Sequence, residues 1–237
     1  MPRDTIFEFR HYTLHPGQRD VLIELFEREF IETQEAVGAH VRATFRNLDD
    51  PNRFVWIRSF ENMDARLAAL NSFYFGPVWQ AHRSVANATM VDSDNVLLLR
   101  PIIDELPELG APHPPISTDV GDSLMVATTY FLAPDAEAQF IELFTREVAP
   151  TLRENSDLIA AFAAERSPNT FPRLPVRENE TVFLTLSRFD PERTHAARSA
   201  ALRASPEWRA LAPEIERLCI APPETLRLSP TARSALR

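Results

Sequence analysis

Ile23-Glu24-Leu25-Phe26-Glu27-Arg28-Glu29 returns as Ile141-Glu142-Leu143-Phe144-Thr145-Arg146-Glu147, and this recurrence decides the fold. Tyr12 returns as Tyr130 at the same offset of 118. Beyond a longer loop in the second copy the offset is 129: Phe54 matches Phe183, Phe60 matches Phe189, and Pro77-Val78-Trp79 matches Pro206-Glu207-Trp208. Leu97, Leu99 and Pro101 then match Leu226, Leu228 and Pro230. Order and spacing hold over five segments, which is the mark of an internal duplication. Between the copies lies Leu106-Pro107-Glu108-Leu109-Gly110-Ala111-Pro112-His113-Pro114-Pro115, where proline fixes φ and removes amide donors, so neither helix nor central strand continues. The chain therefore divides into a first repeat at 1–105, a proline-rich linker at 106–122, a second repeat at 123–230 and a tail at 231–237. Arg233 to Arg237 reads as mobile.

Each repeat carries the same pattern. Ile6 to Thr13 alternates and is aromatic-rich, a strand. Residues 18–35 place Val21, Leu22, Leu25, Phe26 and Phe30 at helical spacing. Val41 to Arg46 and Arg53 to Phe60 are strands joined by turn formers. A second helix starts near Asn62 and breaks at Gly76-Pro77, and Asn95 to Arg100 is the last strand. The order β-α-β-β-α-β is the ferredoxin-like unit, whose sheet has one face covered by helices and the other in need of a partner. Two copies supply each other, giving an α+β intramolecular barrel that is expected to pair again as a homodimer.

Composition narrows the chemistry. All 25 basic residues are arginine, so lysine-anchored Schiff bases and a P-loop lysine are excluded. The five glycines form no GxGxxG, and the net charge of −9 argues against nucleic acid. That charge is uneven: residues 1–165 hold 13 arginines against 26 acids, and 166–237 hold 12 against 8. No apolar run is long enough to span a membrane, and no secretory segment is evident at the start, which points to a cytoplasmic protein. The single Cys219 excludes an internal disulfide and reads as a buried helix-end thiol. No HxH, HExxH or dense carboxylate cluster is present, so no metal is expected.

With these segments located, the chain resembles the NIPSNAP family of the dimeric α/β-barrel superfamily. The residues that carry this are Phe9-Arg10-His11-Tyr12-Thr13-Leu14-His15-Pro16-Gly17 and Phe45-Arg46-Asn47-Leu48-Asp49-Asp50-Pro51-Asn52-Arg53-Phe54-Val55-Trp56. Gly76-Pro77-Val78-Trp79-Gln80-Ala81-His82-Arg83 and the run from Ala86 to Leu99 complete it. The resemblance is strong over 5–102 and only in outline beyond. It implies the barrel fold. Through the wider superfamily it implies kinship with cofactor-free monooxygenases, muconolactone-type isomerases, aldoxime dehydratases and haem peroxidases, among which fold does not choose.

Strand parity gives the candidate site. One register of the first repeat holds Glu8, Arg10 and Tyr12, then Arg42, Thr44 and Arg46, then Trp56 and Arg58. The matched positions in the second repeat, Val126, Thr128, Thr185 and Ser187, are bland. The functional reading is a pocket for a small organic anion, held by the guanidinium forks of Arg10, Arg46 and Arg58 and lined by Tyr12 and Trp56. The structural reading is cross-strand ion pairing. At the broken helix Trp79, His82 and Arg83 share a face, with Tyr74 just before the break. His82 is the candidate general acid/base and Asp92 its candidate orienting carboxylate, with Tyr74 and Trp79 as further lining. The competing reading makes His82 a helix-end cap. No cofactor is expected; haem on His82 or His195 is the alternative that fold analogy supplies. Two functions follow: a cofactor-independent isomerase, lyase or monooxygenase on a small anionic, partly apolar substrate, or a non-catalytic binding or assembly module. An enzyme requires His82 and one of these arginines to border a cavity of ~300 Å³ or more.

Overall fold

The structure, a computed structural model, describes residues 3–107, 112–116, 123–190 and 194–237. The first repeat comprises β1 (Ile6–Leu14), α1, β2 (His40–Asn47), β3 (Arg53–Phe60), α2 (Met63–Tyr74), α3 (Pro77–Thr89), β4 (Met90–Asp92) and β5 (Val96–Asp104). The second comprises β6 (Leu124–Phe131), α4, β7 (Asp157–Ala164), β8 (Val182–Phe189), α5 (Thr194–Ala204), α6 (Pro206–Leu218) and β9 (Glu224–Pro230). Helix α1 runs through Arg19–Leu25, Phe26–Phe30 and Ile31–Glu35, and α4 through Glu137–Leu143, Phe144–Val148 and Ala149–Arg153. The middle segment of each is a π turn, in matched positions. Such a turn rotates the helix face by one extra residue, a feature the apolar spacing did not reveal.

The strands follow the order β3-β2-β9-β6-β8-β7-β5-β1, and a further β3–β1 pairing closes them into an eight-stranded barrel. The β2–β9 and β5–β7 pairings stitch the repeats together. Closure leaves no unpaired barrel edge, which removes the usual route to strand-mediated aggregation. Inside, Phe7, Phe9, Phe45, Ile57, Leu99, Met125, Phe162, Leu184 and Leu186 fill the barrel as one buried cluster. The barrel interior is therefore packed, and any chamber has to lie between the barrel's outer face and the helices. Short β4, unseen in the sequence, continues the sheet beside the end of β1.

Local chemistry explains the boundaries. Asn62 caps α2 by accepting from the Ala65 amide at 2.9 Å. At the break, a Cβ on Gly76 would lie 2.6 Å from the Ser72 carbonyl oxygen, so only glycine lets the chain turn there before Pro77 opens α3. Gly38 ends α1 with φ +88°.

Two expectations are corrected. The tail is anchored: Leu236 is buried in the barrel cluster, and Ser234 Oγ accepts from the Thr44 amide at 3.1 Å. Arg233 pairs with Glu32 and donates to the Glu27 carbonyl, so the tail's ion pairs and its one large apolar side chain hold it in place. Arg42 leaves the outer register, because a bulge between Val41 and Ala43 turns it away. Its guanidinium lies 5.7 Å from the Phe7 ring at the barrel's end and donates to Ser59 Oγ and the Pro107 carbonyl. The linker expectation at 106–122 lies partly outside the described residues. Among the described residues, no helix is long and apolar enough to cross a membrane.

Candidate functional site

The β1–β3 register pairs Glu8 with Arg58 and Arg10 with Trp56, so period-2 alternation sends these side chains together to the outer face beneath α1 and α2. There they form a fully buried charge cluster. Glu8 Oε2 accepts from Arg10 Nη1 at 2.5 Å and from Arg58 Nε at 2.7 Å, and Oε1 accepts from Arg66 Nε at 2.7 Å. Arg66, on α2, was not foreseen: a lone arginine on a helix carries no parity signal toward a strand.

Outer partners complete the cluster. Arg10 Nε donates to the Tyr12 hydroxyl at 2.9 Å, Arg58 Nη1 to Gln34 Oε1 at 3.0 Å, and Arg66 Nη1 to Asn169 Oδ1 at 3.1 Å from the second repeat. Burial alone would raise the Glu8 carboxyl, but Arg58, Arg10 and Arg66 outweigh it and hold it well below the usual carboxylate range. Trp56 lies under both Arg10 and Arg58, with guanidinium carbons 5.5 and 5.1 Å from its ring.

The space beside this cluster is small. Tyr12, Gln34, Trp56, Phe73, Tyr74 and Trp79 border a cavity of about 30 Å³, far below the size a substrate needs. Tyr74 and Trp79 meet edge to face at 4.8 Å and pack as part of this aromatic layer. Arg46 is not with the cluster; it donates to Asp20 at 3.0 Å on the surface. His82 is part-exposed, with Nε2 3.6 Å from Glu29 Oε2 and its ring 6.3 Å from Phe30. Asp92 is exposed on β4, where its Oδ1 accepts from the Asp94 amide. The structure does not bring His82 and Asp92 together, and neither residue lines this cavity.

The large chamber lies at the matched place in the second repeat. It measures about 640 Å³ and sits between the outer face of β6, β8 and β9 and helices α5 and α6. The β6–β8 register repeats that of β1–β3: Val126 opposes Ser187 and Thr128 opposes Thr185. Thus Val126 stands where Glu8 stands, Thr128 for Arg10, Thr185 for Trp56 and Ser187 for Arg58. At the helix offset of 129, His195 replaces Arg66 and Leu202 replaces Phe73. Four large side chains that fill the first chamber are replaced by small ones in the second. Helix α5, unlike α2, buries no residue against the sheet.

The chamber's walls are mixed. Val126, Phe189, Leu202 and Trp208 give an apolar surface, and Thr128, Thr185, Ser187 and Asn155 give hydroxyls and an amide. Arg198, Arg203 and Arg227 lie around it, with no carboxylate among the described lining residues. Arg227 also pairs with Asp49 at 2.5 Å. Burial pushes the Tyr130 phenol up, so it stays neutral as a donor. The sequence carried this signal as side-chain volume, in the same four positions that read as bland by charge. Cys219, read from the sequence as buried, is only half-buried, and burial with nearby Glu216 raises its thiol. Among the described residues, no group of His, Cys, Asp and Glu could hold a metal.

Residues 7–103 match the NIPSNAP family model. The first repeat is a NIPSNAP domain. The whole chain is similar in fold to a candidate monooxygenase from Fusobacterium nucleatum, at 10% identity and TM-score 0.65, covering 100% of this chain and 96% of that one. A candidate monooxygenase from Lactobacillus acidophilus gives 12% identity and TM-score 0.59 over 99% and 100%. An anthrone oxidase-like protein gives 13% and 0.66 over 98% and 94%. No curated protein matches the chain. At these identities the likeness shows the fold alone, an α/β barrel spanning the whole chain.

Proposed function

We propose that this NIPSNAP-domain protein is a cofactor-independent enzyme acting on a small organic anion with an apolar or aromatic body, bound in the chamber of the second repeat. The 640 Å³ chamber carries the reading, because it falls in the size range of small-molecule sites and joins apolar walls to a few polar groups. Trp208, Phe189 and Leu202 would face the ligand body, and Arg198 and Arg203 would favour its anionic form. His195, in the place of Arg66, takes the acid–base role in this reading, since an imidazole works in either direction near neutrality. His82 remains outside the chamber and Arg10, Arg46 and Arg58 do not line it, so the substrate role moves from the first repeat to the second. The chemistry such a site supports is removal of a proton to leave a delocalised anion, the step common to isomerase, lyase and cofactor-free oxygenase reactions. We propose further that the protein works as a homodimer, for which exposed Phe75, Val85 and Val91 offer apolar surface. Light scattering on the eluted peak measures this.

The chamber's largely apolar walls, with hydroxyls scattered among them, also fit a second reading, a binding module without turnover. One set of measurements separates them. Anthrone and 2-naphthoate serve as probes, with calorimetry for binding and absorbance for conversion. Ser187→Trp fills the chamber floor and should abolish binding while the fold is retained by circular dichroism. His195→Gln should leave binding and abolish turnover. Binding that survives Ser187→Trp would overturn the chamber assignment, and binding without turnover in the unaltered protein would leave the module reading.

A further inference from the structure

We infer that the buried arginine cluster of the first repeat is a site for a halide-sized monovalent anion, distinct from the chamber of the second repeat. Three guanidinium groups and one carboxylate, all 0% exposed, leave a formal charge of two positive units in the protein interior. The Tyr12 phenol is raised by burial despite Arg10, so it supplies no compensating charge. A buried charge without a partner is costly, and the cluster's own hydrogen bonds use only part of its donor capacity.

The unused donors are specific. Arg10 Nη2, Arg66 Nη2 and Trp56 Nε1 are buried and have no hydrogen-bond partner. Arg58 Nη2 lies within 2.7 Å of Glu8 Oε2 but lacks an aligned N–H, so it is only electrostatically satisfied. Trp56, together with Tyr12 and Gln34, which accept from Arg10 and Arg58, borders the cavity of about 30 Å³. That space suits one or two waters or a single halide and excludes any organic anion of the chamber's class. The matched positions of the second repeat hold Val126, Thr128, Ser187 and His195, so the site belongs to one repeat only. An anion there would tie β1, β3 and α2 to the loop carrying Asn169.

The test uses the full chain. Thermal unfolding is followed while potassium chloride or bromide replaces potassium gluconate at constant ionic strength, so that only the identity of the anion changes. The melting temperature should rise saturably with the halides. Arg66→Met, which removes one positive charge, should weaken the half-saturating concentration about tenfold or more. Glu8→Gln, which adds one net positive charge, should tighten it by a similar factor. Crystals grown in bromide should show its anomalous peak against Arg10 and Trp56. A melting temperature indifferent to the choice of anion, or bromide found only at exposed arginines (an adventitious ion only), would overturn the inference. The unaltered protein decides this by itself should a variant fail to fold.

Discussion

Glu8→Gln is the most demanding perturbation the structure offers. The glutamine keeps the shape of the side chain and one carbonyl acceptor but removes the negative charge shared by Arg10, Arg58 and Arg66. Those three guanidiniums are fully buried and have no other carboxylate in contact within the cluster, so the formal charge there rises from two to three positive units. Removing one member of a buried ion pair costs about 3–5 kcal/mol, and a shared partner belongs at the upper end. Against a domain stability of roughly 5–15 kcal/mol this is a large fraction. Urea denaturation should therefore show a markedly lower midpoint with an unchanged slope. The contrast is the combined variant Glu8→Val, Arg10→Thr, Arg58→Ser, Arg66→His, which installs the second repeat's residues. It removes the charges as a unit and should cost less than four independent losses, because each single change strands the others. A cost below about 1 kcal/mol for Glu8→Gln would mean that water reaches these arginines, and the burial argument would fail.

Other tests address pH and the tail. His11 is held down to about 4, first by burial and then by Arg53 and Arg177. It takes up a proton more readily when unfolded, so its stabilisation is present above about pH 6.5 and lost as pH falls toward 4, roughly 1–3 kcal/mol in all. His11→Gln should flatten that part of a stability–pH curve, and an unchanged slope refutes it. His40 is raised by its hydrogen bond to Asp4 at 2.8 Å. Its contribution is complete below the unfolded value near 6.5 and disappears as pH rises through the raised folded value, so Asp4→Asn should remove a loss of stability seen as pH rises above about 6.5. Leu236→Ala should cost about 2–5 kcal/mol in urea denaturation, because the side chain is buried in the barrel cluster; a mobile tail would give no change.

The repeat, its element order and the closed barrel were legible in the sequence because each rests on local pattern: period-2 strands, helical spacing, and Gly76-Pro77 at the helix break. Strand parity also brought Glu8, Arg10, Tyr12, Trp56 and Arg58 to one face, as the β1–β3 register shows. Parity failed at Arg42, where one inserted residue flips the alternation, and bulges leave no reliable mark in a single sequence. It was also blind to Arg66, which reaches Glu8 from a helix 58 residues away along the chain.

The chain alone determined that two ferredoxin-like units would share one barrel and that only the first would carry a charged strand register, since strand pattern and charge are written residue by residue. Only the tertiary structure decided where a molecule fits. Space is a difference between the volume that the fold encloses and the volume that side chains occupy, and Val126, Thr128, Thr185 and Ser187 become a chamber only once α5 is held across them with nothing buried beneath it. The same geometry makes the arginines of the first repeat a packed, charged core rather than an open pocket.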